Sequence, residues 1–217
     1  AALERRKPDR LPATTHHVMP YFLNTYMDSI STDDFFNTTG LDPISWFIAY
    51  KPDETRGTFY DPLQGEPGFL EARRVVSDTW RIESEEVPHT EFRTTRFKFV
   101  TPKRTLTMTL QSNDQTSWVI EHLVKEPSDI DIIASYATHP LCDVEAVNAR
   151  ADKMGGKGIL RGHIPCFDIF GQPGCWQDAC CLAGTEEMIL AAYYDPAWVR
   201  AFLGILRDRK LAFARSL

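Results

Sequence analysis

Two adjacent imidazoles, His16 and His17, stand in the run Ala13-Thr-Thr-His-His-Val-Met-Pro20. An imidazole titrates near neutral pH, so a histidine at the end of a strand can donate to a substrate oxygen or act as acid and base. Neighbouring strand residues face opposite ways, which leaves one of the two for a site and the other for core or loop. A second group lies far along the chain. There Gly158-Ile-Leu-Arg-Gly-His-Ile164 reads as a buried strand, and the loop after it carries Cys166, Asp168 and Gly174-Cys175-Trp176. Asp168 follows directly on the strand, as a catalytic carboxylate would, although a turn-capping aspartate would sit there too. His16, His17 and Asp168 are therefore the catalytic candidates, with Tyr21, His163 and Trp176 as candidates for the wall of a substrate pocket. His163, Cys166, Cys175 and Cys180 have the chemistry of zinc ligands, but their spacing matches no standard zinc pattern and no metal ligand is assigned.

The elements that must position these residues change character along the chain. The β-prone run before Pro20 is expected to be a strand delivering one histidine, and Ser31-Thr-Asp-Asp34 caps a short helix through Phe35 and Phe36 that Gly40 stops. From Trp80 to Lys125 the pattern alternates with period two, as in Thr105-Leu-Thr-Met-Thr-Leu110, which predicts an antiparallel meander turning at Pro102-Lys103 and Asn113-Asp114. On this reading Trp118, Ile120, His122 and Val124 share one face, and Glu121 and His122 lie on the sheet surface. Pro127 ends the strand, and Ser128 or Asp129 caps the segment after it. Asp143 starts a helix closed by Gly155-Gly156, and two further helices open at Thr185-Glu-Glu187 and Asp195-Pro196. Val199, Phe202, Leu203, Leu206 and Phe213 form an apolar stripe that needs a partner surface.

Composition narrows the classes. With 43% hydrophobic residues the chain can bury an ordinary core, so disorder is not expected. A net charge of -6 gives no electrostatic footprint for nucleic acid. No run approaches the roughly 20 apolar residues of a membrane helix, and the first ten residues lack the apolar centre of a signal peptide. A cytoplasmic location without membrane contact is expected. Five cysteines, two of them adjacent, fit reduced thiols better than a disulfide framework.

Several motifs together resemble the uroporphyrinogen decarboxylase superfamily, which also holds cobalamin-dependent methyltransferases. Ala2-Leu-Glu-Arg-Arg-Lys-Pro-Asp-Arg-Leu-Pro12 is similar to the family's opening, and Thr101-Pro-Lys-Arg-Thr-Leu106 and Trp118-Val-Ile-Glu-His-Leu-Val-Lys125 resemble the meander of its methyltransferase-like members. Lys125-Glu-Pro-Ser-Asp129 is similar to a strand-to-helix transition of the family, and Gly184-Thr-Glu-Glu-Met188 with Asp195-Pro-Ala-Trp-Val199 resembles its helix pair.

The resemblance implies an α/β fold: a (β/α)8 TIM barrel, present here as its N-terminal portion. The chain would be a single domain over residues 1–217, with residues 80–125 as a β-meander excursion and residues 143–217 as β/α units. It also implies a corrinoid-linked methyltransferase or demethylase acting on a small molecule, with zinc and a corrinoid as cofactors of the full-length protein, and a corrinoid protein and a homodimer as partners. The family's zinc-binding His-x-Cys motif has no counterpart here. Nor does the arginine-rich segment with which authentic uroporphyrinogen decarboxylases hold substrate carboxylates, so decarboxylation ranks behind methyl transfer. A third expectation is a non-catalytic half-barrel that assembles through a sheet edge and the stripe from Val199 to Phe213.

Overall fold

The computed structural model describes residues 6–65 and 72–217, so the first five residues, which open the family-like N-terminal motif, lie outside the described residues. The chain forms two compact units: residues 1–47 with 145–162, and residues 48–144 with 163–217.

The smaller unit is built on α1 (Pro20–Tyr26), α2 (Thr32–Thr39), β1 (Ile44–Phe47), α4 (Val144–Met154) and β10 (Ile159–Gly162). α2 begins and ends as its sequence requires. The Ser31 hydroxyl accepts the Asp34 N–H, and Gly40 closes the helix at φ 69°, a left-handed conformation that costs glycine nothing. Leu23, Phe35 and Phe36 are buried together, with Val18, Met27, Ile30 and Leu41 packed against them. β1 and β10 run parallel, with Trp46 opposite Arg161.

The larger unit rests on a four-stranded antiparallel meander: β5 (Arg81–Val87), β6 (Arg93–Val100), β7 (Thr105–Ser112) and β8 (Ser117–Glu121). Its inner face carries Ile82, Phe99, Leu106 and Met108, buried against α3 (Asp129–Tyr136), α5 (Cys175–Ala183), α6 (Thr185–Tyr194) and α7 (Pro196–Ala214). On the outer face threonines and charged residues pair across strands. Burial alone would raise Glu121, but hydrogen bonds from Lys125, Thr109 and Thr107 hold it down to about 2. Among the described residues there are also three short strand pairs: β1 with β10, β2 (Tyr50–Lys51) with β9 (Leu141–Cys142), and β3 (Thr58–Tyr60) with β4 (Val75–Ser77).

This architecture overturns the expected (β/α)8 barrel. The fold is mixed α/β, and β1 with β10 is the one parallel pair among the described residues. A barrel strand needs a parallel neighbour on each side. β2, β3 and β4 pair antiparallel instead, and the antiparallel meander forms the main sheet.

Four local expectations also change. Residues 11–19 form no strand, because their hydrogen bonds go elsewhere: Ala13 and Asp42 bond reciprocally, and Trp46 Nε1 donates to the His16 carbonyl. β10 is short and mostly exposed instead of a buried strand. A bulge between Thr109 and Leu110 sets Leu110 opposite Val119, so Val119 packs on the core, Ile120 is exposed and Trp118 meets Phe92. His122 leaves the sheet surface, and its Nδ1 lies 3.0 Å from the Cys181 carbonyl.

The stripe on α7 is core, not an assembly face: Val199, Phe202, Leu206 and Phe213 are buried within the chain itself. Phe202→Ala is expected to cost about 3–5 kcal/mol, read from urea unfolding. Tyr193→Ser on the outward side of α6, where the tyrosine is 81% exposed, should change stability by less than about 0.5 kcal/mol.

Candidate functional site

The two histidine candidates and the aspartate candidate lie in different units, and each unit has its own arrangement.

In the smaller unit, Asp42 and Trp46 tie down the irregular segment before Pro20. This sets both imidazoles edge-on to the Trp46 indole, with ring centroids 5.0 Å away for His16 and 5.9 Å for His17. Because the strands pair in parallel, Arg161 lies opposite Trp46, and its guanidinium sits 4.0 Å from the indole centroid. Arg161 Nη1 donates to His16 Nε2 at 3.0 Å, so that nitrogen is an acceptor and the imidazole is neutral in this arrangement. The other guanidinium N–H groups find no acceptor among the described residues. Burial, then the neighbouring His16, lowers the pKa of His17. Tyr21 stands on α1, edge-on to Tyr26.

In the larger unit, Asp168 belongs to a loop held by two consecutive cations of α7. Arg209 donates to the carbonyls of Thr138 and Cys166, each at 2.9 Å, and to Asp168 Oδ1 at 2.8 Å. Asp168 Oδ2 accepts the Trp80 indole N–H at 3.2 Å. Lys210 donates to the Pro165 and Gln172 carbonyls and to Asp178 Oδ2, at 2.7, 3.1 and 2.7 Å. Asp178 Oδ1 accepts the amides of Phe167 and Gln172, so the loop circles a buried carboxylate. Gly171 is required there, since a Cβ would lie 2.3 Å from that oxygen. At the apex Ile169 has φ 71°, and the Phe170 N–H bonds to the Asp168 carbonyl at 2.9 Å, a strained three-residue turn for a β-branched residue.

These contacts commit both carboxylate oxygens of Asp168 to the fold. The neighbouring thiols are equally quiet. Burial, then Asp178, pushes Cys166 up to about 11, and burial does the same for Cys181, so both are protonated near neutral pH. His163 is half-buried, with Nδ1 2.7 Å from the Ile164 carbonyl, and Trp176 is 40% exposed in the first turn of α5. Among the described residues, no group of three or more His, Cys, Asp or Glu is placed to hold a metal ion. No described helix is long and apolar enough to cross a membrane. The chain matches no protein-family model, no curated protein and no solved structure.

Sequence reasoning missed Trp46, Arg161, Arg209 and Lys210. For the last two a signal existed. Leu206, Arg209, Lys210 and Phe213 follow the spacing of one helix face, so the cations occupy core-facing positions and require buried partners. Nothing in the sequence marks Arg161, whose place opposite Trp46 depends on strand pairing.

Lys210→Met strips two carbonyls of their donor and leaves the Asp178 charge buried without its cation. We expect a loss of about 3–5 kcal/mol in denaturant unfolding. Lys210→Arg should recover part of it.

Proposed function

We propose that this chain works in an enzyme of the uroporphyrinogen decarboxylase superfamily, on its corrinoid-linked methyl-transfer side. In this reading the His16–Trp46–Arg161 face takes the polar rim of a tetrapyrrole-type ligand, carboxamide in a corrinoid and carboxylate in a porphyrin. The observation that carries it is Arg161 lying over the Trp46 indole while donating to His16, with N–H groups left over on an exposed face. A guanidinium steadied over an aromatic ring keeps its free N–H groups aimed outward, ready to donate to a carbonyl or carboxylate oxygen. The rest of the indole offers apolar surface to a ring system. His16 places an imidazole, an acid/base group, beside that guanidinium. The order of the family-like motifs along the chain supports the same reading.

A bound methylcorrinoid would supply the methyl group, and Arg161 would hold its rim by donating to the carboxamide carbonyls there. The described His, Cys, Asp and Glu residues do not fit a zinc ion. One observation favours a second reading, self-assembly: α6 exposes Ile189, Leu190, Tyr193 and Tyr194. Light scattering separates the two, since a monomer that binds the ligand supports the first alone.

Titration with methylcobalamin, followed by absorbance, should show saturable binding that Arg161→Ala weakens roughly 10- to 100-fold, the effect of losing hydrogen bonds to a charged group. A parallel titration with coproporphyrin tests the decarboxylase branch through its Soret band. If neither ligand shifts its spectrum, the proposal fails.

A further inference from the structure

The Arg209 clamp has a titratable neighbour. His139 follows Thr138, whose carbonyl accepts from Arg209 Nε, and the His139 Nδ1 is shielded from solvent with no hydrogen-bond partner among the described residues. The charged groups acting on the imidazole come from three places: Arg209 and Asp208 on α7, Arg56 on the short 3₁₀ turn Glu54–Arg56, and Asp168 on the clamped loop. A proton on Nδ1 would create a buried N–H without an acceptor, beside a guanidinium already committed to three oxygens. The loop it holds is strained at Ile169 and has reason to leave once the clamp weakens.

We propose that His139 makes the Arg209 clamp an acid-released latch on the loop at residues 165–172. The closed latch requires a neutral imidazole, and opening lets His139 take up a proton in water. Burial first, then Arg209, lowers the pKa of His139 below its ordinary 6.5. The open form therefore binds more protons than the closed one as acidity rises. Latch stability is full above the ordinary imidazole pKa and is lost progressively as pH falls through the lowered one. The inference is independent of the functional reading above.

Hydrogen exchange, corrected for intrinsic rates and followed by mass spectrometry at about pH 7.5 and about pH 5.5, tests it across the histidine range. Peptides covering residues 165–172 should lose protection by about tenfold at the lower pH, the equivalent of one pKa unit, while the meander strands β6 and β7 hold theirs. His139→Gln should abolish the difference. Equal loop protection at both pH values, or the same loss in H139Q, overturns the proposal. Should that variant not fold, NMR titration of His139 in the wild-type chain decides: a pKa below 6.5 supports the latch, and one at or above it refutes it.

Discussion

Two consecutive cations, Arg209 and Lys210, hold the larger unit together at its least regular point. They sit in the core-facing positions of α7 and donate to four backbone carbonyls and two carboxylates. Buried charges are tolerated only when paired and hydrogen-bonded, so each cation imposes its partners on the surrounding chain. Thr138, Pro165, Cys166 and Gln172 must present their carbonyls inward, and Asp168 and Asp178 must each turn a carboxylate oxygen to a cation. This gives an irregular loop, including a β-branched residue at positive φ, a defined conformation without strand or helix.

Arg209 and Arg161 differ in how far the chain satisfies their donors. Arg209 is buried, and its three kinds of nitrogen all have oxygen partners within the chain. Arg161 is exposed, steadied by one imidazole and one indole, and has donors to spare. Similarly, Asp168 looks like a catalytic carboxylate by type and position, yet it bridges Arg209 and Trp80. The polar atoms of Asp168 are matched within the chain, whereas Arg161 keeps donors without acceptors among the described residues.

Local signals read well where a single element satisfies its own backbone. The α2 cap at Ser31 and stop at Gly40, the helix from Val144 to Met154 and the alternation through Thr105–Ser112 are all legible because capping and periodicity are short-range. The errors fall where a distant group competes for the backbone. Residues 13–19 have β-prone types, but Asp42 and Trp46 take their hydrogen bonds. In β8 one bulged residue moves Val119, not Ile120, onto the core, a change of face that alternation alone does not reveal.

From the sequence alone come α2, α4, α6 and α7, the antiparallel meander and the apolar stripe of α7, since each depends on residue type and spacing along one segment, whereas α1 and the start of α5 at Cys175 were not legible there. Tertiary structure decided that the sheets do not close into a barrel, that the α7 stripe is core, that Asp168 is a strut and that Arg161 stands over Trp46. Those outcomes depend on strand partners and on the pairing of buried charge, interactions between residues up to 145 positions apart whose geometry no local pattern encodes. The polar residues were visible in part; which of them keep donors unmatched within the chain was decided only by the fold around them.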